Sequence, residues 1–149
     1  MSWNLHTNCR NTKQIANANI LMTNIPNQGK PTVSGPQVKY DSYSGKEDEQ
    51  QKINAIVREI KDSGAIGSDF IILSRYTLSN PLNGLGLTGL DKGLGTLKTM
   101  GPIWKAKKND VRFSTISGFK GLESKIVIMI DVDHFSDEDT RLLNYVAAS

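Results

Sequence analysis

Apolar residues recur along the chain with a helical period in some segments and as short continuous runs in others. The clearest helical pattern lies in Lys46–Gly64, where apolar residues fall at i, i+3, i+4 and i+7: Ile53, Ile56, Val57 and Ile60. Acidic residues crowd the first turn of this segment, and Gly64 stands where a C-terminal cap belongs. The pattern predicts an amphipathic helix.

Short apolar runs predict strands on both sides of that helix. The run from Ile71 to Leu73 is continuous, which is typical of a parallel strand buried on both faces. Strands are predicted over Trp3–Thr7, Gln37–Ser44, Asp69–Arg75, Val111–Ile116 and Lys125–Asp133. Further helices are predicted over Asn11–Thr23, with Asn11 or Thr12 as its cap and one stripe of Ile15, Ala18, Leu21 and Met22, and over Asp137–Ser149. This alternation predicts an α/β domain with a parallel sheet flanked by helices.

One segment, Asn80–Gly101, fits neither pattern. Leucines recur there at near-helical spacing, but glycines are interspersed among them. Each glycine weakens a helix by about 1 kcal/mol relative to alanine. The segment is therefore predicted to form short helical turns and loop.

Length, charge and cysteine content narrow the class of protein. The chain has 149 residues, which suits one domain, and a net charge of +3, which suits a polyanionic partner as well as ordinary solubility. Cys9 is the only cysteine, so the sequence excludes an internal disulfide and a cysteine-based zinc site, and its two histidines do not suggest a metal cluster. No apolar run reaches the length of a membrane span or of a signal sequence. We therefore expect no metal site, no membrane partner and a cytoplasmic location.

Two glycine-containing stretches match phosphate-binding loops only in part. Gly84, Gly86 and Gly89 have the spacing of a dinucleotide-binding loop, but the stretch RYTLSNPLN separates them from the preceding apolar run. In Asn27–Thr32, Pro31 follows the lysine where a Walker A loop has a hydroxyl residue for magnesium. The sequence thus lacks its own Walker A loop. A dinucleotide-dependent enzyme stays an alternative that a strand leading directly into Gly84 would favour.

Three other stretches carry a more specific resemblance. They are NCRNTKQIANANIL from Asn8, FSTISGFKGLESKIVIMIDVD from Phe113 and DTRLLNYVAAS from Asp139. In order and spacing they resemble the fourth, fifth and sixth motifs of the UvrD/Rep-type superfamily 1 helicases. The Lys-Gly-Leu-Glu turn of the middle stretch is the most specific of these.

The resemblance implies that residues 1–149 form a single second RecA-like domain, a P-loop NTPase-like fold in which ATP binds between this domain and a first one. The Walker motifs and the magnesium ligands then belong to the first RecA-like domain, so ATP and Mg²⁺ are expected in a longer parent and the isolated chain is expected to be inactive. Ser149 stands one residue before the expected arginine of the sixth motif, which suggests a fragment.

Individual roles follow from the same resemblance. Arg10 matches the arginine finger that stabilises the γ-phosphate, and Lys120 matches a second cation near the phosphates. Glu123 matches the acceptor of a ribose hydroxyl, and Gly121 lets the backbone approach the nucleotide. The remaining two matches, Thr115 and Ser117, correspond to residues that contact the backbone of single-stranded DNA, and RNA stays an alternative ligand. Both side chains are expected to project from one strand to the same side.

The departures from the family pattern keep a second function open. Cys9 stands where the family has a tyrosine that stacks on adenine, and Ser117 replaces a frequent histidine. Cys9 favours a non-catalytic α/β interaction domain that kept the fold and lost the chemistry, whereas Arg10, Lys120 and Glu123 together oppose it. The basic run around Trp104, with Lys105, Lys107 and Lys108, fits either a nucleic-acid patch or a solvated charge run.

Overall fold

The computed structural model describes residues 7–8, 12–24, 30–31, 33–85, 89–99, 107–119, 122 and 124–132. The chain divides into two compact units, residues 1–40 together with 133–149, and residues 41–132. The helices are α1 (Lys13–Thr23), α2 (Lys46–Asp62) and the short α3 (Ile116–Phe119). The strands are β1 (Thr7–Asn8), β2 (Lys30–Pro31), β3 (Phe70–Ser74), β4 (Thr96–Thr99), β5 (Asp110–Thr115) and β6 (Ile126–Met129).

Helix α1 of the first unit begins where the sequence predicts. The hydroxyl oxygen of Thr12 accepts the N–H of Ile15 at 3.3 Å, an N-cap bond that satisfies one of the free donors of the first turn. Ala16 and Ala18 are buried, whereas Ile15 is 36% exposed. The predicted apolar stripe is therefore confirmed at Ala18 and wrong at Ile15, next to which Ala16 is buried instead.

The strand predicted over Gln37–Ser44 does not form, because residues 37–44 contain no regular element. Polar and apolar residues alternate there, but the described strands pair only β1 with β2 and the four members of the second sheet with one another. Alternation without a partner strand is insufficient, since strand preference reflects packing on a sheet. Nearby, the N–H of Gly35 donates to the side chain of Gln14 at 2.8 Å, so that α1 anchors the stretch before this segment.

The second unit contains a four-stranded sheet in the order β4-β5-β3-β6, and every pairing in it is parallel. This confirms the predicted α/β class and parallel sheet. All five residues of β3 are buried, as the continuous apolar run predicts, because this strand has a neighbour on each side.

One face of this sheet carries the main core. Helix α2 and the loop between β3 and β4 pack against it through a cluster of buried residues: Ile53, Val57, Phe70, Ile72, Leu85, Leu94, Val111, Phe113, Ile128 and Ile130. The strand members of the cluster alternate along the sequence, so they share one face of the sheet. The core thus holds α2 on the sheet.

Helix α2 ends in the way that its sequence predicts. Gly64 has a φ of +97°, its N–H donates to the carbonyl of Lys61 at 2.9 Å, and the N–H of Ala65 donates to that of Ile60 at 3.4 Å. These two bonds form a Schellman motif, which needs a residue that tolerates the left-handed conformation. The Gly64 prediction is confirmed.

The segment Asn80–Gly101 is only partly as predicted. Turns and loop occupy residues 80–85 and 89–95, but Thr96–Thr99 form β4, which pairs with β5. Side chains of α2 satisfy the loop backbone, since Gln50 donates to the carbonyl of Gly89 at 2.9 Å and Asn54 accepts the N–H of Asp91 at 3.0 Å. The sequence pattern missed β4 because its residues are mostly exposed and carry no apolar run.

The predicted helix over Asp137–Ser149 and most of the predicted strand over Trp3–Thr7 lie outside the described residues. Among the helices that the structure describes, none combines the length and apolar character needed to cross a membrane.

Candidate functional site

The topology of the second unit predicts a ligand crevice at the carboxyl ends of β3 and β5. These neighbouring strands end at Ser74 and Thr115, which are register partners. The connection leaving β3 runs to β4 and packs on the core face through Leu85 and Leu94. The connection leaving β5 runs through α3 to β6 instead.

Helix α3 packs outside that core. Ile116 and Phe119 are buried and do not belong to the main cluster, and α3 contacts β5 and β3. The buried apolar residues of β3 that are not in the cluster, Ile71 and Leu73, point to this second face. The two connections therefore leave in different directions over opposite faces, an arrangement that creates a ligand crevice in open α/β sheets.

Thr115 lies at this crevice and also begins α3. Its hydroxyl oxygen accepts the N–H of Gly118 at 3.1 Å, which caps the short helix. The side chain is half-buried. Because an accepting hydroxyl still has its own hydrogen, Thr115 can donate to an anionic oxygen while it caps. Its contact with a nucleic-acid phosphate stays a prediction.

Ser117 does not lie where the sequence predicts. Strand β5 ends at Thr115, and Ser117 is an exposed residue of α3. The expectation that both hydroxyls project to the same side of one strand is wrong, because the period of two ends where the helix begins. The cap at Thr115 is the local cause of the turn. Both residues nevertheless lie close together in the chain at the carboxyl edge.

A buried polar network occupies the rest of this edge. The carboxylate of Asp131, which follows β6, accepts the hydroxyl of Ser74 and the N–H of Gly84, the latter at 2.7 Å. The N–H of Asp131 in turn donates to Glu49 at 3.0 Å. Ser74, Glu49 and Asp131 are all buried. The network joins the ends of two strands, the first turn of α2 and the loop after β3.

The backbone of the network is adapted to these contacts. Asp131 has a φ of +59°, a left-handed conformation that aspartate tolerates better than most residues. A Cβ at Gly84 would collide with the carboxylate of Glu49, so a larger residue there would require Glu49 to shift. The sequence signal was present in two polar residues directly after apolar strands, Ser74 and Asp131, but their contact depends on the tertiary structure.

The same contacts remove the dinucleotide alternative. Strand β3 ends at Ser74, so no strand leads directly into Gly84, and the N–H of Gly84 is already bound by Asp131. In the described part of the following loop, residues 89–95, no helix begins. A pyrophosphate therefore lacks the helix N-terminus that the loop pattern requires.

The residues that the resemblance assigns to ATP lie outside the described residues: Arg10, Lys120, Gly121 and Glu123. Their convergence at one edge stays a prediction. The residue after Glu123, Ser124, lies at the opposite edge, where its hydroxyl contacts the carbonyl of Asp69 just before β3. The crossover from β5 thus returns to the amino edge by Ser124.

Arg112 anchors this return. One of its terminal nitrogens donates to the hydroxyl of Ser124 at 2.9 Å and to the carbonyl of Ser68 at 3.1 Å. Burial lowers the pKa of Arg112, and the nearby charge of Asp69 opposes that shift. Its two other nitrogens are buried and have no hydrogen-bond partner in the structure described here. Arg112 is therefore an incompletely satisfied cation beside Ser124, and no sequence motif pointed to it.

Across the residues that the structure covers, no three His, Cys, Asp or Glu side chains are grouped to hold a metal ion. Comparison with protein-family models, with curated proteins and with solved structures found no match. The site must therefore be interpreted from its own geometry.

Proposed function

We propose that the chain is the second RecA-like domain of an ATP-dependent superfamily 1 helicase or translocase. It would contribute half of an ATP site shared with a first RecA-like domain and part of a track for single-stranded DNA. The observation that carries this proposal is the position of Thr115, a residue of the most specific sequence motif, at the crevice between β3 and β5.

The chemistry of the assigned residues suits this role. Arg10 can bind a phosphate through two parallel hydrogen bonds, and Lys120 adds a second positive charge. Glu123 offers an acceptor to a ribose hydroxyl. Magnesium would be held by the first domain, so this chain by itself should not hydrolyse ATP.

At the crevice, the hydroxyl of Thr115 offers a hydrogen-bond donor to the phosphate backbone. Such a contact positions a strand without reading its bases, so affinity should be similar for different sequences. It should also fall with salt, because binding releases the counterions of each neutralised phosphate.

The test is a titration of fluorescently labelled single-stranded DNA 20-mers of two different sequences with the 149-residue chain at low salt. Thr115→Ala should weaken binding about five-fold, which is the loss of one hydrogen bond of about 1 kcal/mol. Thr115→Ser is the matched control, because it keeps the hydroxyl that caps α3 and donates to phosphate. The melting temperature of each variant separates lost binding from lost folding.

Equal affinities for the Ala and Ser variants, with both folded, would overturn the role of Thr115. Failure of the unmodified chain to bind either strand would instead favour the non-catalytic interaction domain.

A further inference from the structure

The amino edge of the four-stranded sheet carries an open cavity of about 430 Å³. Its lining comes from two adjacent strands and the turn before one of them: Thr96, Lys98, Lys107, Lys108, Asn109 and Asp110. All of these are exposed except Asp110. We name the three lysines of this lining, Lys98, Lys107 and Lys108, the amino-edge lysines.

The tertiary structure creates this cluster. Lys98 belongs to β4, the strand that the sequence pattern missed, and it pairs in register with Arg112 of β5. Lys107 and Lys108 lie just before β5, and the carbonyl of Lys108 accepts the N–H of Gly67 at 3.3 Å. A Cβ at Gly67 would lie 1.6 Å from the carbonyl oxygen of Asp110, so the two segments pack in direct contact. The turn is thereby fixed with its lysines facing the cavity.

Little negative charge opposes the amino-edge lysines. The ion pairs that the structure describes involve other cations, namely Lys52, Arg58 and Lys125. The one carboxylate in the lining, that of Asp110, is buried and accepts the backbone N–H of Lys107 at 2.8 Å. A fourth ammonium, that of Lys61, lies near Gly95 at the same edge. Three exposed cations around one cavity give a local positive potential that favours an anion.

We propose that the amino-edge lysines bind the phosphate backbone of a single-stranded nucleic acid. Lysine ammonium groups act as point charges on phosphates and need no fixed orientation of the ligand. The volume of the cavity falls in the range of small-ligand sites, which suits a nucleotide of a flexible strand.

The described lining contains no apolar side chain, and this separates the proposal from membrane binding. A peripheral membrane site combines basic residues with apolar ones that enter the lipid. A concave lining made of polar and charged residues instead fits a charged backbone that remains in water.

This site is separate from the crevice of the proposed function. Strand β5 runs from Asp110, in the lining, to Thr115, at the crevice, a separation of about 17 Å for five steps of about 3.3 Å. The proposal therefore holds whether or not the chain belongs to a helicase.

The experiment measures the affinity of labelled dT20 for the 149-residue chain over a series of salt concentrations. Lys98→Gln and Lys107→Gln should each weaken binding about two- to five-fold, the range expected for an exposed ion pair. Each should also make the slope of log affinity against log salt shallower by about 0.7, which is one phosphate contact on a single strand. The matched control is Lys46→Gln, which also removes one positive charge, but from an exposed residue at the start of α2. The control should leave the slope unchanged.

Equal effects of all three substitutions would overturn the proposal, because they would indicate net charge alone. Unchanged affinity in Lys98→Gln and Lys107→Gln would overturn it as well. Binding to vesicles of anionic lipid that is as tight as binding to dT20 would assign the cluster to membranes instead. Thr115→Ala, tested in parallel, distinguishes the two sites. If Thr115→Ala weakens binding of dT20 while the lysine variants bind like the unmodified chain, only the proposed function is supported.

Discussion

The two edges of the parallel sheet are built from opposite charges in opposite environments. At the carboxyl edge, Glu49 and Asp131 are buried and hydrogen-bonded to the backbone. At the amino edge, the amino-edge lysines are exposed around an open cavity. In a parallel sheet all strands point the same way, so the two edges are chemically distinct.

Helix α2 contributes to this difference. Its first turn holds Glu47, Asp48 and Glu49, and its last turn holds Lys61. Glu49 reaches Asp131 at the carboxyl edge, whereas Lys61 lies near Gly95 at the amino edge. Acids at the start of a helix and bases at its end also complement the helix dipole. The orientation of α2 thus places its acidic first turn at the carboxyl edge of the sheet and its basic last turn at the amino edge.

The comparison also separates polar groups that hold the fold from those that can bind a ligand. Ser74 and Gly84 both donate to Asp131, and these bonds stabilise the carboxyl edge. Thr115 keeps a donor there, and the three amino-edge lysines, Lys98, Lys107 and Lys108, take part in no described ion pair. We therefore expect substitutions at the carboxyl network to change stability, and those at the amino-edge lysines to change binding.

The largest effect is expected from Asp131→Ala. The change leaves the buried hydroxyl of Ser74 and N–H of Gly84 without their acceptor, and it places alanine at a positive φ. We expect a loss of about 3 kcal/mol in the free energy of unfolding, measured by urea denaturation. Asp131→Asn is the control, because it keeps an acceptor and tolerates the left-handed conformation, and its loss should be smaller. Losses below about 1 kcal/mol in both variants would show that the network contributes little.

A smaller effect is expected from Arg112→Met at the amino edge. Methionine loses the bonds to Ser68 and Ser124, but it also removes a buried guanidinium with two unsatisfied nitrogens. Because the cost of burying that charge disappears, the net loss should be about 1 kcal/mol, again by urea denaturation. Arg112→Lys should cost at least as much, since it keeps a buried charge. A loss from Arg112→Met equal to that of Asp131→Ala would contradict the contrast between the edges.

The smallest effect concerns Asp69 at the amino edge. Its bond to Lys125 at 2.8 Å, and then its bond from the N–H of Ile66 at 3.0 Å, lower the pKa of its carboxyl below 3.8. A lowered pKa means that the charged form stabilises the fold, so this contribution is complete above pH 3.8 and is lost as the pH falls through the folded-state pKa.

The melting temperature should therefore fall less between pH 6 and pH 3 in Asp69→Asn than in the unmodified chain. Asp62→Asn, which changes an exposed carboxylate near the end of α2, is the control and should behave like the unmodified chain. An equal fall in melting temperature between pH 6 and pH 3 in Asp69→Asn and Asp62→Asn would exclude the ion pair of Asp69 with Lys125 as the source of the pH dependence.

The sequence predicted the structure well where a local pattern indicates both which residues are buried and where the element ends. The period of Ile53, Val57 and their neighbours, together with Gly64, identified α2 and its end. The continuous run in β3 identified a central strand. These features depend on residues within a few positions of one another, so the sequence contains them directly.

Where a partner decides the structure, the sequence pattern failed. Residues 37–44 alternate like a strand but have no strand beside them, whereas Thr96–Thr99 lack an apolar pattern but pair with β5. At the candidate site, Thr115 was placed correctly in its strand, but Ser117 was not, because the strand ends at Thr115, whose side chain caps α3.

The sequence by itself determined the α/β class, the parallel direction of the strands and the charged ends of α2. Only the tertiary structure decided that Ser74, Glu49 and Asp131 meet in one buried network and that Lys98 joins Lys107 and Lys108 around one cavity. The physical reason is distance along the chain: Glu49 and Asp131 are joined by a hydrogen bond across 82 positions. Local preference cannot encode such a contact, which forms only when the strand order brings the segments together.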